Sequence, residues 1–186
     1  FGEDSGPQAA YPLHAITQRP MPMYHSWGTQ NAWLRQILGR NRLYVNRATG
    51  EALGLADDDW AWVISSHGRV KTQVKLMEGC EANTVWTWNA IGKRSGAWNL
   101  DPAAEEAKLG FLLNHVIPES IERDGQRVTN SDPVTGQAAW YDTKVRLEKC
   151  DSAEIGTPAP AFPTLTPPRG LPQRSDTLRY GREFKR

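Results

Sequence analysis

The chain has 186 residues, a formal net charge of +1, 39% hydrophobic and 23% charged residues, and a mean hydropathy of −0.60. That is one domain of ordinary size with a tail. It has enough apolar residues for a core, and no apolar run near the ~18 residues of a membrane span. The near-zero charge argues against strong steering toward nucleic acid. Two cysteines, Cys80 and Cys150, are too few for a disulfide framework or for a metal site of their own. The start, Phe1-Gly2-Glu3-Asp4, has neither Met nor a signal pattern, as expected of a piece of a longer chain.

From the N-terminus, residues 1–10 read as a flexible stretch and Tyr11–Thr17 as a strand. Pro20 and Pro22 then interrupt regular structure. Thr29 is placed to cap a helix through Leu38, with Trp33, Leu34, Ile37 and Leu38 on one face and Gly39 as terminator. Leu43–Val45 is a short strand. Asn46 is placed to cap a helix over Arg47–Leu53, closed by Gly54. Trp60–Ser65 and the alternating Val70, Thr72, Val74 and Leu76 predict a hairpin, its turn at Ser66–Arg69 using a positive φ at Gly68. Thr84–Trp88 is a strand, Ala104–Leu113 a weak helix, and Trp140–Leu147 a closing strand. Many short strands with two short helices between them suggest a barrel rather than a βαβ sheet. The domain is placed at residues 11–150.

Six of the thirteen prolines follow Cys150. They lie among Thr, Ala and Gly with no apolar period, so residues 151–186 are expected to form a disordered Pro-rich tail. Its basic and aromatic end, Arg179–Arg186, suits either a docking segment or a merely soluble one.

No nucleophile elbow, P-loop or zinc motif occurs. The histidines at 14, 25, 67 and 115 are scattered, and Asp57-Asp58-Asp59 reads as a solvated turn. Three polar segments are better candidates for a binding site. Thr17-Gln18-Arg19 with His25-Ser26 and Thr29 runs from a strand end toward a helix start, and offers donors for an anionic or heteroaromatic ligand. Asn89, with Gly92-Lys93-Arg94, forms a basic loop after a strand. Asn114 follows an apolar run, and Lys144 lies in the closing strand.

The order of these pieces resembles the molybdopterin-dinucleotide-binding domain that ends the large subunits of the dimethyl-sulfoxide-reductase family. The resemblance rests on Thr17-Gln18-Arg19, His25-Ser26, Leu43-Tyr44-Val45-Asn46, Ala52-Leu53-Gly54-Leu55, Ser65-Ser66-His67-Gly68-Arg69, Leu112-Leu113-Asn114 and Tyr141-Asp142-Thr143-Lys144-Val145. Leu76–Gly79, Thr87–Lys93 and Asp132–Ala138 resemble the sulfite dehydrogenase branch, with thiosulfate and polysulfide reductases as neighbours.

The resemblance implies a mainly β chain with a double-psi β-barrel and short helices. It implies a molybdenum-bearing molybdopterin guanine dinucleotide, with an iron–sulfur cluster elsewhere in the full enzyme. Thr17, Arg19, His25, Ser26, Thr29, Asn89, Lys93, Asn114 and Lys144 are the expected cofactor contacts. The cofactor's metal performs two-electron chemistry in that family, and the protein binds and orients it. The implied partners are the remaining domains of the large subunit, together with two further subunits, one for iron–sulfur electron transfer and one serving as membrane anchor. The implied location is cytoplasmic and membrane-associated. The metal ligand and cluster cysteines of the family have no counterpart here, so the piece alone is expected to be inactive and monomeric. Two other readings use the tryptophans: a carbohydrate-binding module with a row of exposed rings, and an oligonucleotide-binding barrel with a basic groove.

Overall fold

The computed structural model describes residues 9–89, 91, 109–138 and 143–151. The expected tail lies outside them apart from Asp151. So do Lys93, the first half of the helix expected over Ala104–Leu113, and Trp140–Asp142 of the closing strand.

Among the described residues there are eight strands: β1 (Leu13–Gln18), β2 (Leu43–Asn46), β3 (Trp60–Ile64), β4 (Arg69–Met77), β5 (Thr84–Trp88), β6 (Ser120–Arg123), β7 (Gln126–Thr129) and β8 (Thr143–Lys149). Six of them close a barrel in the order β1-β5-β2-β4-β3-β8, and β6 and β7 form a separate two-stranded ribbon. β1–β5 and β2–β4 pair in parallel, while the other neighbours are antiparallel. The chain passes over β5 to go from β1 to β2, and over β2 to go from β4 to β5. These interleaved crossings are those of the expected double-psi barrel.

Closure follows from the period-two pattern. Leu13 and Ala15, Leu43 and Val45, Val63, Val70 and Val74, Val85, and Val145 turn inward and are buried. A closed barrel leaves no edge strand open to pairing. Phe111, Leu113 and Val116 belong to the same core. They come from the segment holding the 3-10 turn Leu113–Val116, which plugs the end where β1, β3 and β5 finish (the upper rim). In the part of the expected helix that is described, Leu109–Leu112 is not helical.

Local chemistry explains the short helices. Asn31 rather than Thr29 caps α1 (Ala32–Ile37), its Oδ1 accepting from the amides of Trp33 at 2.9 Å and Leu34 at 3.3 Å. The expected apolar face of that helix is divided: Leu34 and Leu38 are half-buried, whereas Trp33 and Ile37 are exposed. Asn46 caps α2 (Arg47–Ala52) as expected, and Gly54 ends it at φ +71°. Gly50 brings α2 against β4, where an added Cβ would meet Leu76 Cδ2 at 2.3 Å. Gly68 has no positive φ. The β3–β4 turn is built by Ser65 instead, whose Oγ accepts from the amides of His67 and Gly68. The β6–β7 ribbon turns on Asp124 (φ +52°) and Gly125 (φ +73°), an Asp-Gly pair suited to a type I′ hairpin.

The acidic run does not simply face water. Asp57 accepts from Lys75 Nζ at 2.6 Å and from the Leu76 amide at 2.7 Å. Asp58 accepts from Arg42 at 2.7 Å, and Asp59 accepts from Lys149 Nζ at 2.7 Å and the Ala56 amide at 2.8 Å. One turn thus clasps β4, the segment entering β2, and the end of β8. The hydrogen bond from Lys75, then that from the Leu76 amide, holds the Asp57 carboxyl below its usual range, and Lys149 followed by the Ala56 amide does the same for Asp59. A carboxylate depressed on folding contributes stability above its unfolded pKa, and that contribution is lost as pH falls through the folded value. Replacing Asp57 and Asp59 together by Asn is therefore expected to lower the chemical-denaturation midpoint near neutral pH. It should also flatten the loss of stability below about pH 4. An acid limb as steep as in the parent chain would contradict the clasp.

Candidate functional site

The upper rim gathers the ends of β1 and β5, the entry to β2 and the plug. The Asn89 amide donates to the Gln18 carbonyl at 2.8 Å, so Asn89 and Arg19 leave the barrel side by side. Arg19 is exposed and no described residue pairs with its guanidinium. Thr17 lies in the inward phase of β1, half-buried, in register with buried Thr87 of β5.

Asn41 is the residue that holds the rim together. Its side chain is 3% exposed. Nδ2 donates to the carbonyls of Trp88 at 2.8 Å and Phe111 at 3.3 Å, and Oδ1 accepts from Thr87 Oγ1 at 2.9 Å. Its backbone amide donates to the Leu109 carbonyl at 2.7 Å. One amide therefore links the end of β5 to the segment that carries Asn114. Farther along, Ser65 Oγ donates to the Val116 carbonyl at 2.6 Å. Asn114 is held exposed at this end between buried Leu113 and Val116. No element is expected from the sequence at residues 40–42, and nothing in them marks Asn41 as a buried bridge.

The segment after β1 leaves the barrel from this end. His25 adopts φ +49° and sets its ring edge-on to Tyr24, 5.0 Å between centroids. Ser26 is exposed in the 3-10 turn His25–Gln30. Thr29 is buried, its hydroxyl donating to the Ser26 carbonyl at 2.7 Å, so it shapes the turn from within. The amides expected at the helix start are already engaged by Asn31.

Lys144 stands apart from the others. It lies opposite His14 in the β1–β8 register, its Nζ 2.5 Å from His14 Nε2. That position is four residues from Gln18, or roughly 13 Å along the strand, in the outward phase of β8. The structure brings Thr17, Arg19, Asn89 and Asn114 to one end of the barrel, from which the segment carrying His25 and Ser26 leaves, and does not bring Lys144 there.

The decisive feature is Asn89 Oδ1, a buried oxygen with no hydrogen-bond partner. A buried polar atom left without a partner costs free energy. Next to an exposed guanidinium, such an acceptor suits a ligand that combines an anionic group with N–H-bearing heteroaromatic edges. A molybdopterin dinucleotide has both. Among the described residues no cluster of His, Cys, Asp or Glu is arranged to hold a metal ion.

The described tryptophans of the barrel strands do not form a sugar- or base-stacking row, and the exposed Trp27 and Trp33 lie outside those strands. Trp62 is buried under Arg69, 4.1 Å from ring centroid to guanidinium. Trp86 is stacked on Tyr44 at 4.0 Å, and Trp88 meets both rings edge-on.

The closed six-stranded barrel with its interleaved crossings is that of a cofactor-binding domain, and the chain belongs to the molydopterin dinucleotide binding domain family, whose model matches residues 13–127. It is 55% identical over 164 residues to a sulfite dehydrogenase subunit of Allochromatium vinosum, a match covering 87% of this chain. It is 26% identical over 165 residues to a dopamine dehydroxylase of Eggerthella lenta, covering 84% of this chain. The chain spans only 17% of the first relative and 14% of the second. Acetylene hydratase from Pelobacter acetylenicus has a similar fold, with a TM-score of 0.58 at 20% identity, over 77% of this chain and 19% of that one.

Asn41 and Asn89 are expected to respond oppositely to substitution. Asn41→Ala removes a donor from two carbonyls and an acceptor from Thr87, and should destabilise the chain by roughly 2–4 kcal/mol. Asn89→Leu removes an unpaired oxygen at similar volume and should leave ligand-free stability unchanged or raised. Urea unfolding of the two variants checks both. A large loss of stability in Asn89→Leu would mean that its side chain serves the barrel rather than a ligand.

Proposed function

We propose that the chain is the cofactor-binding barrel of a molybdenum oxidoreductase catalytic subunit, and that its upper rim grips a molybdopterin guanine dinucleotide. The unpartnered Asn89 Oδ1 beside exposed Arg19 carries this reading. Arg19 would neutralise pyrophosphate charge. Asn89 would accept from a pterin or guanine N–H. Asn114, Ser26 and Thr17 would supply further hydrogen bonds from the same rim, and His25 would sit beside them. Thr29 contributes through the turn that it holds in shape. When bound, the group supplies the two-electron redox chemistry at its metal, while this chain binds and orients it.

The 55% identity to a sulfite dehydrogenase supports sulfite, or a related sulfur oxyanion, as substrate of the complete protein. The family resemblance supports two partner subunits, one for iron–sulfur electron transfer and one serving as membrane anchor, on the cytoplasmic side of a membrane. No helix among the described residues is long and apolar enough to cross a membrane. The extent of the domain, residues 11–150, follows the barrel from the residues before β1 to Cys150.

Arg19→Ala in the full-length protein tests the site. A hydrogen bond to a charged group is worth roughly 1.5–3 kcal/mol, so cofactor retention should fall roughly tenfold to a hundredfold. Molybdenum and guanine content after extended gel filtration measures it. Content equal to that of the parent protein would overturn the assignment of Arg19.

A further inference from the structure

Met21 (98% exposed), Tyr24 (64%), Trp27 (82%), Trp33 (77%) and Ile37 (70%) lie within one short stretch between β1 and β2. Scattered exposed apolar side chains need no explanation. A concentration of five large ones does, and Met, Tyr and Trp are the types enriched where proteins meet.

The local structure makes the point stronger. α1 has six residues and none of them is buried. Isolated helices of that length are not stable in water. Leu34 turns toward Gly28 and Met23, where an added Gly28 Cβ would meet its Cδ1 at 3.0 Å. Trp33 and Ile37, one turn apart, form a neighbouring stripe that faces away from the barrel. The segment thus uses one face of α1 to hold itself together and leaves a second apolar face open.

We propose that the face made by Trp27, Trp33 and Ile37, flanked by Met21 and Tyr24, is where the rest of the same polypeptide docks. Two observations choose this occupant. The chain spans only 17% of its 55%-identical relative, so in a protein of that length most of the polypeptide lies outside this domain and is held near it by the chain itself. The segment that carries the face also starts at the rim: Arg19 follows the end of β1, and His25 and Ser26 lie between Tyr24 and Trp27. A ligand gripped at this rim brings the remainder of its binding site to the same end of the barrel. The choice of occupant rests on the cofactor reading; the existence of a docking face does not.

The test uses the full-length protein, purified without cofactor and without partner subunits, under hydroxyl-radical footprinting. Its reference is the same protein unfolded in urea. Trp27 and Trp33 should be oxidised roughly tenfold more slowly in the folded protein, as expected of residues at the centre of an interface. Rates within about twofold of the reference would overturn the proposal, because an undocked side chain this exposed has little protection. Protection that appears only on adding cofactor or a partner protein, or that grows with protein concentration, would assign the face to that ligand, that partner or a second copy, and would equally overturn it. Because the cofactor-free protein is measured, failure here is separate from failure of the Arg19 experiment. A second measurement uses Trp33→Asp with Ile37→Asp, neither of which belongs to the barrel core. Limited proteolysis should release the domain from the full-length variant roughly tenfold faster than from the parent, and an unchanged release rate would overturn the docking face.

Discussion

A buried side-chain amide organises this molecule. Two strand pairs in the barrel are parallel, and parallel neighbours cannot be joined by tight turns. Their long connections must cross the barrel ends, where backbone groups fall outside the ladders and still need partners. At the upper end Asn41 meets that need for three segments at once: the end of β5, the entry to β2, and the plug that carries Phe111. Deep burial makes the bridge strong, and would make any unpaired member of it costly. The rim residues hold their places because this bridge fixes the ends from which they leave.

The opposite treatment of Asn89 then has meaning. Asn41 and Asn89 lie near one barrel end, the first with its side chain satisfied and the second with a buried oxygen left open. The fold ties Asp57, Asp58 and Asp59 to three separate segments; among the described residues it leaves two buried side-chain atoms without a partner, Trp62 Nε1 on β3 and Asn89 Oδ1 at the rim, and only the second lies at the end where the candidate donors gather. A rim that receives a ligand supplies a reason for an open oxygen there. The open apolar face beside it has the same character, in that its chemistry is complete only when something else is present.

Several parts were legible before any coordinates. The inward alternation of Val70, Val74 and Leu76 marked β4. Asn46 and Gly54 marked the ends of α2, because a cap and a positive-φ stop act within one turn of chain. The Asp124-Gly125 pair carried an equally local signal for the β6–β7 ribbon, but it was not among the expected elements. Thr29 was misread as a helix cap because Thr29 and Asn31 both have capping chemistry. Only the path of the chain decides which of them lies one residue before the helix. Gly68 was misread because Ser65 builds the turn through its hydroxyl and leaves the glycine without a special φ.

The sequence by itself determined the class of the fold and the ordered motifs of the family, since strand period, caps and short polar signatures are local properties. It also placed the candidate rim residues in order along the chain. Tertiary structure alone decided which of them meet. Arg19 and Asn89 are seventy residues apart in the chain and become neighbours through the parallel β1–β5 pairing. Lys144 falls near the far end of β1 because the β1–β8 register sets it opposite His14. The role of Asn41 was likewise invisible, because its partners lie 46 to 70 residues away. Burial and hydrogen-bond partnership depend on contacts between distant segments, and those contacts exist only once the barrel has closed.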